Sequence, residues 1–331
     1  MAKNIKYFFF LITFISIGFW GNGQTAGNFK TVKNVRVSRA YGYLLSQQYS
    51  LNRIKEIFPA LKQQVIISSS NFNVAFGNAR VNMEEYLKGY LGESEFQKFI
   101  MDGKDAIRKM EEENPIGLED ANAYLLEIDK RAKGEIPNPI LETLLHFQYL
   151  NTPSNEFSNG YTKVYSTKNH PKAKGLDMQF KVPLSWRSME GDRPNVVQKF
   201  VTDYGDGLET VVLVVKDLGQ DFTQDEFVKI FLEDGGKSFL PDGSNLISTD
   251  RTKFDQNEGF VIVFNQTRET LGIKVQMRVM MFYIVYKNKL INFSCGIGSP
   301  GSDIELQKRY SQLAPLFLSV GRSIVFNSQY K

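Results

Sequence analysis

Residues 280–298 read MMFYIVYKNKLINFSCGIG, two apolar runs separated by a short polar segment. The alternation of side chains predicts strands at Lys274–Tyr286 and Lys289–Ile297. The segment between them is too short for a crossover, so the two strands are predicted to be antiparallel neighbours. From Val279 onward both faces of the first strand are apolar, which predicts that helices or other layers cover the sheet on both sides there.

The rest of the C-terminal half has the same period of two. Further strands are predicted at Met178–Val182, Val196–Tyr204, Thr210–Leu218 and Phe260–Asn265. The runs VVLVV and FVIVF within them are apolar on both faces, as in central strands. Two helices interrupt the strands, each begun by a capping box, Thr223 with Glu226 and Ser302 with Glu305. Pro315 is expected to kink or end the second helix.

The N-terminal half has apolar residues at helical spacing from Val35 to Leu150. Helices are predicted from a Ser50 N-cap to Pro59, from Ala60 towards Phe76, at Asn82–Leu91, Glu93–Glu113 and Leu118–Lys133, and from Pro137 or Pro139 through Leu150. Residues 151–174 are rich in turn-forming and polar residues and lack a sustained period. The predicted organisation is therefore a helical domain at 24–150, a linker at 151–175 and a second domain at 176–331.

The first 23 residues have the parts of a signal peptide. Lys3 and Lys6 precede an apolar run from Tyr7 to Trp20, and small residues follow before Gln24. The run of about 14 residues is shorter than the roughly 20 that a membrane-spanning helix needs. We therefore expect a periplasmic or secreted protein without a stable membrane span after cleavage, and an inner-membrane anchor if the segment is not cleaved.

Charge and cysteine content exclude several classes of protein. Removing residues 1–23 takes away two lysines and no acidic residue, which lowers the formal net charge from +4 to +2. Basic and acidic residues are interspersed, unlike the concentrated basic face of a nucleic-acid-binding protein, so no nucleic-acid partner is expected. Cys295 is the single cysteine, which rules out an internal disulfide and a cysteine metal cluster.

The sequence contains no coherent catalytic, metal or cofactor set. Cys295 shares a strand face with Ile291, Phe293 and Ile297, so it is expected to be a buried thiol rather than a nucleophile. The two histidines are predicted to be a packed residue, His146, and a linker residue, His170, with no zinc spacing between them. The segment GIGSPG, residues 296–301, spells a dinucleotide fingerprint, but it follows an antiparallel strand and lacks the acidic residue expected about 20 positions later. A glycine-rich turn before the Ser302 N-cap is the better interpretation.

Three aromatic residues, Phe157, Tyr161 and Tyr165, lie in the polar segment predicted as a linker. They either cross and pack on the sheet, which we favour, or form a surface for a protein partner. Trp186 follows the strand of FKVPLSW, residues 180–186. Its size favours packing over one end of the sheet rather than ligand contact. Trp186 therefore serves as a structural marker of the second domain.

The segments FKVPLSW, YGDGLET, the 280–298 hairpin and the closing residues from Tyr310 to SIVF together resemble the PsbP-like fold. In that family the entry motif is a strand, a proline and a tryptophan, matched by Phe180, Pro183 and Trp186. Members include photosystem II accessory proteins, a Ran-binding nuclear-transport factor and bacterial envelope proteins of the DcrB type. The resemblance implies an antiparallel sheet between helical layers and partner binding without catalysis.

Residues 41–61, YGYLLSQQYSLNRIKEIFPAL, are similar to uncharacterised secreted proteins of Bacteroidetes-type bacteria. The expected fold is therefore α+β, with a helical N-terminal domain followed by an antiparallel-sheet α/β/α sandwich. The expected function is that of an accessory or binding protein of the cell envelope with a protein partner. The alternative is an envelope hydrolase or small-ligand carrier using an interdomain cleft. The sequence leaves the identity of the partner and the oligomeric state open.

Overall fold

The computed structural model describes residues 31–218, 223–270, 273–299 and 302–330. The chain divides into two compact units, Met1–Leu150 and Asn151–Lys331, called here the helical unit and the sheet unit. The predicted signal peptide at residues 1–23 lies outside the described residues.

The helical unit contains five described α-helices: α1 (Val32–Ile57), α2 (Lys62–Leu91), α3 (Glu93–Glu113), α4 (Leu118–Ala132) and α5 (Pro139–Gln148). The hydroxyl of Thr31 caps α1 by accepting from the Asn34 N–H at 3.2 Å. Ser50 therefore lies inside α1, and its prediction as an N-cap is wrong. Its hydroxyl donates instead to Glu111 Oε1 at 2.9 Å, a contact between helices that local sequence cannot reveal.

The two helices predicted on either side of residues 77–81 are one helix, α2. Its backbone leaves helical geometry at Phe76, where φ is −134° and ψ is 18°. Phe76 is buried and its ring packs 4.9 Å from that of Phe72. Burial of both rings on the same side accompanies the kink, so the interruption of the apolar period in the sequence marks a bend rather than a helix end.

Residues 151–175, predicted as a linker, are ordered within the sheet unit. They form α6 (Pro153–Ser158), β1 (Thr162–Ser166) and a short 3₁₀ turn at Pro171–Ala173. β1 pairs antiparallel with β2 (Met178–Pro183). The buried Thr167 hydroxyl donates to the Leu176 carbonyl at 2.6 Å. Hydrogen bonds and a few spaced core contacts hold this segment, and because those contacts follow no helix or strand period, its composition resembles that of a linker.

The sheet unit has two antiparallel sheets. The remaining strands are β3 (Arg187–Glu190), β4 (Val196–Val201), β5 (Glu209–Asp217), β6 (Ser244–Phe254), β7 (Asn257–Thr270), β8 (Ile273–Tyr286), β9 (Lys289–Ser299) and β10 (Val325–Phe326). One sheet has the order β1-β2-β10 and the other β3-β4-β5-β9-β8-β7-β6. Tyr286 pairs with Lys289 across the predicted hairpin, which confirms the antiparallel pairing of β8 with β9.

Helices lie against both faces of the seven-stranded sheet. On one face, α8 (Asp303–Arg322) and the three-stranded sheet share a core with β4, β5, β8 and β9. On the other, α7 (Gln224–Asp234) packs on β7 and β8 through rings such as Phe231, stacked 3.6 Å from Phe260. The predicted α+β class, a helical half followed by antiparallel sheets, is thereby confirmed. FVIVF is buried on both faces, whereas Val212 and Val214 of VVLVV are only half-buried.

Both predicted capping boxes are present, at Thr223 with Glu226 and at Ser302 with Glu305. Of the two alternatives predicted for Pro315, a kink or a helix end, the helix end is wrong, because α8 continues to Arg322. Leu316, Phe317 and Val320 are fully buried beyond the proline. Their burial outweighs the hydrogen bond that a proline removes from a helix.

Candidate functional site

A groove of about 490 Å³ lies between α1 and α2 of the helical unit. We call it the α1–α2 groove. Its lining consists of Gln48, Leu51, Asn52 and Lys55 from α1 and Val65, Ile66, Ser69, Ser70, Asn73 and Val74 from α2.

Helical periodicity gives the groove an apolar floor and polar walls. Leu51 and Val65 are buried at its base. The next residue on each helix, Asn52 on α1 and Ile66 on α2, faces outward, because positions three and four apart share a helix face while adjacent positions do not. At the rim, Ile66 is 53% exposed and Val74 is 82% exposed. The groove therefore offers apolar surface as well as hydrogen-bonding groups.

The polar groups of the walls are incompletely paired. Gln48 Nε2 donates to Asn52 Oδ1 at 3.3 Å, which leaves Gln48 Oε1 as an acceptor and Asn52 Nδ2 as a donor. Across the part of the chain that the structure describes, the side chains of Lys55 and Asn73 make no hydrogen bond or ion pair. Lys55 is the charged residue of the lining.

In the sheet unit, a buried carboxyl group lies next to the turn that precedes Trp186. Glu156 is 3% exposed, and its two oxygens accept from Ser185 N–H at 2.8 Å and Ser185 Oγ at 2.7 Å. Lys163 Nζ donates to the Trp186 carbonyl. Burial raises the pKa of Glu156 to about 7, against the lowering effects of the Ser185 hydrogen bonds and of Lys163.

Trp186 packs as expected. It is 3% exposed, and its ring meets Phe317 of α8 edge-on at 6.4 Å. It lies between β2 and β3, inside the unit that begins at Asn151. A tryptophan at this position joins the three-stranded sheet to α8 through buried apolar area.

The structure places two of the three aromatic residues of the candidate partner surface against the core. Phe157 and Tyr165 are half-buried and pack on the main cluster of the sheet unit. The Tyr165 ring lies 5.4 Å from Phe180 and from Phe200. Tyr161 is half-buried, and its carbonyl accepts a hydrogen bond from Leu184 N–H at 3.0 Å. A partner role for this surface stays a prediction.

The other candidate groups occupy structural positions. Cys295 is fully buried in the core, as predicted, and burial raises the pKa of its thiol well above the usual value. His170 Nε2 lies 3.4 Å from Glu190 Oε2. Across residues 31–218, 223–270, 273–299 and 302–330, no three His, Cys, Asp or Glu side chains come together as they would around a metal ion.

The segment GIGSPG is only partly described, because residues 300 and 301 lie outside the described ranges. The strand before it, β9, is antiparallel to both of its neighbours, unlike the parallel strand of a dinucleotide-binding unit. The Ser302 hydroxyl accepts from Glu305 N–H at 3.3 Å, as expected for the N-cap of α8. No helix in the described part of the chain is long and apolar enough to cross a membrane.

Comparison with known proteins gives structural neighbours but no family. No family model matches the sequence, and no curated protein matches it. Solved structures similar to this chain include the PsbP protein of the cyanobacterium Synechocystis, at 15% identity over 50% of this chain and 92% of that chain, with a TM-score of 0.33. The Ran-binding protein Mog1p of Saccharomyces cerevisiae is 12% identical over 50% of this chain and 95% of that chain, also with a TM-score of 0.33.

A third neighbour, from Bacteroides thetaiotaomicron, is 12% identical over 52% of this chain and 50% of that chain, with a TM-score of 0.31. The neighbours thus include PsbP-like and related folds. Similarities of this size carry no argument about function.

Sequence reasoning missed the α1–α2 groove. The signal that was present is the series Gln48, Asn52 and Lys55 on one helix and Ser69 and Asn73 on the next. Each set follows the period of one polar helix face. These residues line one groove only because α1 and α2 pack side by side. The residue pattern of one helix does not indicate which helix lies next to it.

Proposed function

We propose that this chain is an exported, non-enzymatic accessory protein of the cell envelope that acts by binding a protein partner. The observation that carries the proposal is the α1–α2 groove, where amide, hydroxyl and ammonium groups surround a buried apolar floor. Apolar surface with a few convergent polar groups is typical of recognition sites.

The state of the reactive side chains supports binding rather than covalent chemistry. The raised pKa of the buried Cys295 disfavours the thiolate that a nucleophile requires. Both oxygens of Glu156 accept hydrogen bonds from Ser185. An envelope hydrolase or small-ligand carrier stays the alternative prediction.

The test is co-purification of the tagged chain from envelope extracts of the source cells, with quantitative mass spectrometry. The groove variant is Asn52→Ala/Asn73→Ala, and the matched control is Gln97→Ala, which removes an exposed amide on α3. We expect one protein to be enriched by the wild type and by the control but not by the groove variant. Failure to enrich any protein, or equal enrichment by the groove variant, would count against the proposal.

Export is tested separately by mass spectrometry of the N-terminus of the purified chain. We expect the chain to begin at Gln24, because the small residues before it fit signal-peptide cleavage. Retention of residues 1–23 in a membrane fraction would favour the anchored alternative instead.

A further inference from the structure

We propose that the sheet unit docks on a membrane surface of anionic phospholipids through a cluster of basic side chains, called here the basic end. The inference goes beyond the proposed function, because it concerns a lipid surface rather than the protein partner of the α1–α2 groove. The basic end consists of residues 168–174, residues 190–199, the end of β5 at 217–218 and the β8–β9 turn at 286–289. Its basic residues are Lys168, Lys172, Lys174, Arg193, Lys199, Lys287 and Lys289, and its acidic residues are Glu190, Asp192 and Asp217.

Ion pairs hold the four segments of the basic end side by side. Lys172 Nζ lies 2.8 Å from Glu190 Oε1, which joins the first segment to the second. Lys174 Nζ lies 3.6 Å from Asp217 Oδ2, and the other oxygen of Asp217 accepts from Lys289 Nζ at 2.8 Å. One carboxylate therefore joins the first, third and fourth segments. Basic residues that are far apart in the sequence thus form one surface.

Positive charge exceeds negative charge at the basic end. Seven basic residues are opposed by three acidic residues, a surplus of four. The next acidic residues at this end of the sheet are Asp177 and Asp255, which accept hydrogen bonds from the C-terminal segment. A surplus of two remains when they are counted. Charges that are interspersed along the sequence are therefore segregated in space.

Three of the basic side chains are open to a partner. Lys168, Arg193 and Lys287 are exposed, and within the part of the chain that the structure describes none of them makes an ion pair. The other four basic residues each pair with an acidic residue of the basic end. The three acidic residues are thus already engaged, so the charge of the three exposed side chains is balanced by solvent ions or by an anionic partner.

The composition of the basic end favours a lipid surface over a protein as that partner. The centres of protein–protein interfaces are enriched in aromatic residues, methionine and arginine and depleted in lysine. Six of the seven basic residues here are lysines. Among the described residues, none of the large apolar side chains that are exposed lies in the four segments. Clustered lysines bind anionic headgroups through charge alone, without an apolar contact.

The experiment measures sedimentation of the purified full chain with sucrose-loaded vesicles. One set of vesicles is an equimolar mixture of phosphatidylethanolamine and anionic phosphatidylglycerol, and the other is neutral phosphatidylcholine. We expect tighter binding to the anionic set. The difference between the sets should disappear as sodium chloride rises towards about 0.5 M, because salt screens exposed charges.

The test variant is Lys168→Gln/Arg193→Gln/Lys287→Gln, which removes the three exposed charges and leaves the ion pairs of the basic end in place. Each basic residue near an anionic surface strengthens binding about five-fold. The partition coefficient of the variant on anionic vesicles should therefore fall by about a hundred-fold. Circular dichroism checks that the fold is unchanged.

The matched control is Lys98→Gln/Lys104→Gln/Lys109→Gln, which removes three exposed lysines from α3 of the helical unit. It changes the net charge of the chain by the same amount as the test variant. Its partition coefficient should stay within about two-fold of the wild type, because only charges near the membrane contribute strongly.

Two outcomes overturn the inference. Equal partition onto anionic and neutral vesicles, or equal losses in the test variant and the control, would show that the basic end does not select an anionic lipid surface. If vesicle binding is independent of lipid charge and the test variant loses a protein that the wild type and the control co-purify, the basic end binds an acidic protein instead. The proposed function is judged separately by Asn52→Ala/Asn73→Ala, so a failure of vesicle binding does not decide it.

Discussion

Both units bury apolar and aromatic side chains, but the helical unit also buries an ion pair. Among the buried residues of the helical unit is an ion pair, in which Arg131 Nε donates to Glu127 Oε1 at 2.9 Å. In the sheet unit the main core contains interlocked rings, and Phe180 meets Phe200 and Phe293 edge-on at 5.6 and 4.8 Å.

The difference separates two sources of stability. Aromatic burial stabilises in proportion to the apolar area removed from water and does not depend on one partner. A buried ion pair contributes little net stability, yet the loss of one member is costly because the other remains charged and desolvated. The cost of substituting a buried ring should therefore scale with the lost volume, and the cost of substituting one member of the buried ion pair with the loss of its partner.

The largest effect is expected from Trp186→Ala in the sheet unit. Loss of a buried indole should lower the free energy of unfolding by about 4 kcal/mol, through lost transfer energy and the cavity that remains. Urea unfolding followed by far-ultraviolet circular dichroism measures it. Trp186→Phe should lose much less. Unchanged stability with loss of the co-purified partner would instead assign Trp186 to a binding surface.

Arg131→Met in the helical unit should cost about 3 kcal/mol, because Glu127 would be left buried without its cation. The double variant Arg131→Met/Glu127→Leu should recover most of that loss. The control is Arg108→Met, which breaks an exposed pair with Asp105 at 3.2 Å and should change stability by less than about 0.5 kcal/mol. Chemical unfolding of all three variants tests the comparison, and a double variant as unstable as the single would contradict it.

Glu156 is a buried carboxyl group in the sheet unit, and its titration should make the free energy of unfolding depend on pH. Its pKa is raised from 4.5 to about 7, so the folded state holds the proton more tightly than the unfolded state. The stabilisation is fully present below pH 4.5 and is lost as pH rises towards 7. From pH 5 to pH 7 the loss should be about 2 kcal/mol.

Glu156→Gln should remove this dependence, because an amide can still accept from Ser185 N–H and donate to its hydroxyl. Unfolding followed by Trp186 fluorescence across pH 5–8 measures the difference from wild type. Glu190→Gln is a control for which the opposite pH dependence of stability is expected. Hydrogen bonds from Lys172 and His170 lower the pKa of Glu190, so its contribution is lost as pH falls. Parallel profiles for wild type and Glu156→Gln would show that Glu156 does not titrate in this window.

The features that the sequence predicted correctly are local. The β8–β9 hairpin follows from two alternating runs and a short turn, and the Thr223 and Ser302 caps each depend on a residue three positions away. The missed strands lack such a signal. All four residues of β3 are exposed, and β6 is a largely polar strand at the edge of its sheet. Neither strand buries enough apolar side chains on one face to produce a period of two in the sequence.

The sequence by itself determined the α+β class, the antiparallel hairpin and the burial of Cys295, because periodicity and capping act between residues close in the chain. The tertiary structure decided the rest. It determines that β1 pairs with β2, that α8 continues past Pro315 and that α1 and α2 pack together and form a groove. These depend on contacts between distant segments, where burial and hydrogen bonding outweigh the preference of any short stretch.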